Sequence, residues 1–171
     1  DFPKGVFNIV HGLGPRAGQA ILEHPEIKAI SFTGGTQTGR IVAKTAAPLF
    51  KKLSLELGGK NATVILDDAD LEKAAKGAAR AGFTNSGQVC LCGSRVLVDE
   101  SIASQFTELF IEEIESMKIG DPQNGDTDIG SVISSQHLEK VETYIQLAME
   151  EGGEILTGGK SFKLIHRIQI C

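Results

Sequence analysis

The sequence predicts an α/β fold organised on a mostly parallel sheet, and three observations predict it. Short apolar runs alternate with longer stretches whose apolar residues recur at helical spacing. Glycine and proline punctuate the changeovers. Apolar residues make up 41% and charged residues 23%, a balance that a folded chain shows and a disordered one does not. At 171 residues the length is that of roughly one domain.

Taken in order, Val6 to Val10 reads as a short buried strand. Gly12-Leu13-Gly14-Pro15 reads as a turn, with Pro15 suited to the first turn of a helix over Ala17 to Leu22 that closes before Pro25. Ile27 to Phe32 is a second strand, broken by Thr33-Gly34-Gly35-Thr36. Gly39 to Ala47 returns to helix and Pro48 ends it. Leu53 to Leu57 and Ala62 to Leu66 are strands on either side of Gly58-Gly59. Asp68 or Asp70 is placed to cap a helix from Leu71 to about Ala81. Arg95 to Val98 is a strand. Ala103, Phe106, Leu109, Phe110, Ile114 and Met117 mark a helix that Gly120-Asp121-Pro122 stops. Leu138, Val141, Ile145 and Ala148 mark another, ended by Gly152-Gly153, and Ile155-Leu156 reads as a short strand.

Composition excludes several functions. Seventeen basic against twenty-two acidic residues leave a net charge of −5, which argues against nucleic-acid binding by bulk charge. Trp is absent and Tyr144 is alone, so no stacking platform for single strands is present. No apolar run reaches the roughly 18 residues of a membrane helix, and no basic-then-apolar leader opens the chain. Three cysteines, Cys90, Cys92 and Cys171, do not form a secreted disulfide framework, so a reducing, cytoplasmic location is expected. Cys90-x-Cys92 lacks two further ligands at metal-site spacing, and His11, His24, His137 and His166 are scattered, so no metal site is expected.

Three local constellations carry chemistry. Phe32 to Gly39 stands at a strand-to-helix junction, where glycines let a ligand approach the backbone and helix N–H groups favour phosphate. The same residues also read as a plain turn, because neither a G-x-G-x-x-G spacing nor a P-loop lysine is there. Gly14 and Gly18 are a weaker second candidate of this kind. In Leu55-Glu56-Leu57-Gly58-Gly59-Lys60, Glu56 sits between leucines at the end of an apolar strand. Desolvation there would make it a general base; alternation would instead turn it to water. In Asn85-Ser86-Gly87-Gln88-Val89-Cys90, a cysteine follows a glycine-containing loop, suited either to a nucleophile or to a buried structural thiol.

Together and in this order, the three motifs resemble the NAD(P)-dependent aldehyde dehydrogenase superfamily. Cys90 lies 34 positions after Glu56, which fits the family's separation of base and nucleophile. Ile119-Gly120-Asp121-Pro122 is also similar to a family segment. The resemblance covers about residues 1–160, and the run around Cys90-Leu91-Cys92 looks most like aminomuconic or hydroxymuconic semialdehyde dehydrogenases. It implies that the Cys90 thiolate attacks an aldehyde, that hydride transfer to nicotinamide leaves a thioester, and that Glu56 activates the water that hydrolyses it. The Cys90 N–H would help hold the oxyanion. Gly34, Gly35, Thr36, Gln37, Thr38 and Gly39 would lie at the pyrophosphate of NAD, with NADP left open, and Leu57 near the nicotinamide. Gly34-Gly35 departs from the commoner Gly-Ser pair and forfeits one hydroxyl donor. Asn61 takes no catalytic role by this correspondence.

The resemblance further implies parts of two Rossmann-like parallel-sheet domains. Residues 1–58 would be the second half of the NAD(P)-binding domain, and 59–171 the first half of the catalytic domain with an atypical tail, 161–171. The family's oxyanion asparagine, its ribose-holding Lys and Glu, and its Glu-x-Phe-Gly-Pro element are not among these residues. An internal stretch of a longer chain is therefore expected, with open sheet edges, uncovered apolar faces and little turnover of its own. Full-length family members are expected to form homodimers or homotetramers. Two other readings stand beside this one: a cysteine hydrolase or acyltransferase, which needs a histidine near Cys90, and an inactive binding module of the same fold.

Overall fold

The computed structural model describes residues 2–164 and 167–170. It divides into two compact units, Asp1–Gly58 and Gly59–Cys171.

In the first unit, β1 (Ala29–Gly34) and β2 (Lys52–Leu57) run parallel, in register from Ala29↔Lys52 to Gly34↔Leu57. Parallel neighbours need a crossover, and the apolar stripe of α2 (Thr36–Ala46) provides it. Val42 of α2 is buried with Ile30 of β1 and Leu22 of α1 (Gln19–Glu23), and Phe32 and Leu55 pack against them. The chain enters α1 through a π-type turn at Gly14–Gly18. Lys51 is buried, and its ammonium donates to the His24 carbonyl at 2.7 Å, tying the end of α1 to the start of β2.

Two expectations fail here. Val6 to Val10 forms no strand; Val6, Ile9 and Val10 are exposed. A strand exists only by pairing, and this apolar run has no partner among the described residues. The helix expected from Gly39 starts at Thr36, because the β1–β2 ladder continues to Gly34 and leaves only Gly35 to make the turn.

The second unit repeats the crossover. Parallel β3 (Ala62–Ile65) and β4 (Arg95–Val98) are joined through α3 (Leu71–Phe83). α4 (Ala103–Ser116) lays Phe106 against Ala75 and Ala78 of α3 and Ile65 of β3. The Phe106 and Phe110 rings stack with centroids 5.5 Å apart. α5 (Ser135–Glu150) begins at Ser134, whose hydroxyl accepts from the His137 N–H at 3.2 Å. The tail forms an antiparallel pair, β5 (Ser161–Leu164) with β6 (Arg167–Ile170). Ile155-Leu156, expected as a strand, is irregular and exposed. The face of β3–β4 turned away from α3 and α4 is open: Val64 and Leu97, paired in register, are 60% and 53% exposed. Uncovered apolar faces were the expectation.

Of the two candidate caps, Asp70 takes the role, accepting from the Lys73 N–H at 3.2 Å and pairing with the Lys73 ammonium at 2.8 Å. The hydrogen bond from the Lys73 side chain, then that from its N–H, holds the Asp70 carboxyl below its ordinary value. A carboxylate with a depressed pKa stabilises the fold above its unfolded pKa and loses that contribution as pH falls through the folded one. Asp70→Ala is therefore expected to lower the melting midpoint at neutral pH. The gap from the parent should close in strong acid, as followed by far-UV circular dichroism across pH. A gap that persists in acid would refute the carboxylate as its source.

Candidate active site

In the first unit, the junction of β1 and α2 is built by close contacts to side chains rather than by caps. No side chain caps α2; Gly35 precedes it in extended conformation, and the first helical bond runs from the Gly39 N–H to the Gly35 carbonyl at 3.0 Å. The amides of Thr36, Gln37 and Thr38 come before that bond, in the turn whose N–H groups a helix cannot satisfy internally. A Cβ added at Gly35 would meet nothing within 4 Å. At Gly39 it would stand 2.6 Å from Leu57 Cδ2, and at Gly34 2.6 Å from the Phe32 ring. Gly39 thus lets α2 settle onto Leu57, and Gly34 makes room for Phe32.

Glu56 is the β2 neighbour of Thr33, one position before the Leu57–Gly34 pair. The structure therefore brings Glu56, Leu57 and the Gly34–Gly39 turn together at one end of the parallel pair. Leu55 and Leu57 are half-buried and Glu56 is exposed, so strand alternation points the carboxylate to water. Of the two outcomes open for Glu56, the strand takes the one that turns it to water.

In the second unit, Cys90 follows a strained turn. Asn85 and Ser86 adopt φ of 53° and 55°, and Gly87 follows at 70°. Left-handed backbone costs a non-glycine residue about 1–2 kcal/mol, so the surroundings must hold it. They do so at several points. The Ser86 hydroxyl donates to the Gly130 carbonyl at 2.8 Å, and the Ile133 N–H donates to Gln88 Oε1 at 3.2 Å. Gln88 N–H donates to the Asn85 carbonyl at 3.1 Å.

Beyond this turn the chain reverses, with the Cys92 N–H on the Val89 carbonyl at 3.1 Å. Cys90 is exposed at its tip and Cys92 is buried. The Cys92 thiol donates to the Gly87 carbonyl, Sγ to O 3.2 Å, and lies 3.7 Å from the Gly82 carbonyl. The alternative of a buried structural thiol thus describes Cys92, not Cys90. Asn61, at the entrance to β3, donates through Nδ2 to the Cys90 carbonyl at 2.9 Å and to the Cys92 carbonyl at 3.4 Å. The sequence shows nothing of this contact of Asn61, since its partners lie 29 and 31 positions away.

An apolar cleft of about 640 Å³ lies between α4, α5 and residues 153–159 and does not include Cys90. A shallower hollow of about 330 Å³ flanks the cysteine turn, lined by Arg80, Thr84, Val89, Leu91 and Cys92 among others. Among the described residues no group of three or more His, Cys, Asp and Glu is placed to hold a metal ion, and no helix is long and apolar enough to cross a membrane.

An exposed cysteine on a strained turn and an uncapped helix start beside a carboxylate are parts of a recognisable order of motifs. The profile of the aldehyde dehydrogenase family matches residues 1–167. The chain belongs to the aldehyde dehydrogenase family. It is 47% identical over 157 residues to the 2-aminomuconic semialdehyde dehydrogenase of Danio rerio, covering 92% of this chain and 32% of that protein. It is 45% identical over 157 residues to the 5-carboxymethyl-2-hydroxymuconate semialdehyde dehydrogenase of Escherichia coli, covering 92% and 33%. Among solved structures, betaine aldehyde dehydrogenase of Staphylococcus aureus in complex with NAD+ superposes with a TM-score of 0.90 at 42% identity, over 95% of this chain and 32% of that one. The chain thus spans about a third of the length of the relatives it matches. The similarity confirms the family and its partial Rossmann-like α/β fold.

Proposed function

We propose that these residues carry the nucleophile, the general base and part of the nucleotide site of an aldehyde dehydrogenase that uses NAD. In this assignment residues 1–58 are the second half of the nucleotide-binding domain and 59–171 the first half of the catalytic domain. The observation that carries it is Cys90, a free and exposed thiol at the tip of a turn held by Ser86, Asn61 and Cys92.

The start of α2 fits a dinucleotide's pyrophosphate: uncapped N–H groups at Thr36 to Thr38, and open space at Gly35 where a Cβ would stand. Gly34, Gly35, Thr36, Gln37, Thr38 and Gly39 would hold it, with Leu57 toward the nicotinamide end. Bound there, the dinucleotide supplies the acceptor for the hydride that leaves the substrate carbon.

The protein's own residues do the rest. The Cys90 sulfur adds to the aldehyde carbon, and the carbonyl oxygen takes up negative charge. The Cys90 N–H, which has no protein partner among the described residues, is free to donate to that oxygen. With the dinucleotide bound as acceptor, loss of hydride from the thiohemiacetal carbon would leave a thioester on Cys90. Glu56 takes a proton from water, the water oxygen bonds to the acyl carbon, and the C–S bond breaks. The acid leaves, the thiolate is restored, and Glu56, exposed on β2, passes its proton to solvent.

The relatives named for muconic semialdehydes support a carboxylate-bearing semialdehyde as substrate. The test is reduction of NAD+ by the gene product that carries these residues, over a panel of simple aldehydes and dicarboxylic semialdehydes. Reduction with a preference for the semialdehydes is expected; no reduction with any aldehyde would overturn the proposal.

A further inference from the structure

We infer that Asn61 is a positioning residue for Cys90, an assignment that rests on the nucleophile role proposed above. The backbone of Asn61 is anchored, since its carbonyl accepts the Arg95 N–H at 3.1 Å, next to Lys60, whose carbonyl accepts Arg95 Nε at 3.0 Å. From that anchor the side-chain amide reaches across to the cysteine turn. Its Nδ2 carries two hydrogens and finds two acceptors, the carbonyls of Cys90 and Cys92. These carbonyls belong to the residue at the tip and to the residue that closes the turn.

The direction of a carbonyl sets ψ of its own residue, and so the direction in which that residue's side chain leaves the backbone. Holding the Cys90 carbonyl toward β3 therefore fixes the following peptide plane and, with it, the Cα–Cβ bond from which the Cys90 sulfur is presented. The other fixed points act elsewhere on the loop: Cys92 Sγ on Gly87 and Ser86 Oγ on Gly130. Among the described residues, Asn61 alone hydrogen-bonds to Cys90 through a side chain. Asn61 is exposed, so removing its amide opens no cavity in the core.

Asn61→Asp preserves shape but replaces the donor with an oxygen facing two carbonyl oxygens; Asn61→Ala removes it and serves should the first variant not fold. The purified chain is treated with an aryl acetate, whose acylation of Cys90 needs an aimed sulfur and an oxyanion donor. It is treated separately with iodoacetamide, which needs only access, and labelling is resolved by peptide mass spectrometry. We expect the acylation rate of Cys90 to fall about tenfold or more. Its alkylation should change by less than about twofold. Cys92 should stay unlabelled and the melting midpoint should hold. Acylation at the parent rate, or Cys92 labelling as fast as Cys90, would overturn the positioning role. A parent Cys90 acylated no faster than free N-acetylcysteine would instead overturn the nucleophile role beneath it.

Discussion

In the gene product that carries these residues, Cys90→Ser is expected to lower aldehyde oxidation by about a thousandfold or more while leaving the fold intact. An alcohol gives up its proton far less readily than a thiol and is the poorer nucleophile at neutral pH. The change removes one polarisable atom at an exposed position, so nothing in the core responds. Steady-state rates and melting curves on the same preparations make the comparison. An oxidation rate within about tenfold of the parent would mean that another group captures the aldehyde. Cys92→Ser serves as the contrast: it keeps a donor for the Gly87 carbonyl and should retain most of the activity.

Phe106→Ala is expected to be the most destabilising single change, costing about 3–5 kcal/mol. Phe106 is 2% exposed, stacks on Phe110, and joins α4 to Ala75 and Ala78 of α3 and Ile65 of β3. Those neighbours are small or held by the sheet, so they cannot close over the space. A domain of ordinary stability, about 5–15 kcal/mol, would lose a large part of it. Urea unfolding of both proteins measures the difference; a loss below about 1 kcal/mol would show that α3 and α4 are not joined through this ring.

Sequence reading reached furthest where a signal is local. Arg95 to Val98 is a strand with the expected bounds, flanked by a turn before and Asp99 after. The helix expected from Ala103 to Met117 ends at Ser116, because its apolar spacing and the glycine beyond it are both local. Val6 to Val10 and Ile155-Leu156 misled because an apolar run becomes a strand only beside another, and the sequence does not say where that other lies. At Glu56 both outcomes were open, and the half-burial of Leu55 and Leu57 decided for water. The hold of Asn61 on the cysteine turn is not legible in the sequence, because it is set by contacts to residues far along the chain. The left-handed pair Asn85-Ser86 had a usable signal, an asparagine two residues before a glycine.

In the proposed reaction the sulfur of Cys90 captures the substrate and water activated at Glu56 releases it. Glu56→Gln separates the two events, since the amide cannot take the proton from water. The variant is incubated with NAD+ and a semialdehyde, quenched in acid and digested, and the Cys90 peptide is weighed. A burst of reduced nicotinamide followed by arrest is expected, with the Cys90 peptide heavier by one acyl group. An unmodified Cys90 peptide together with turnover at the parent rate would contradict it.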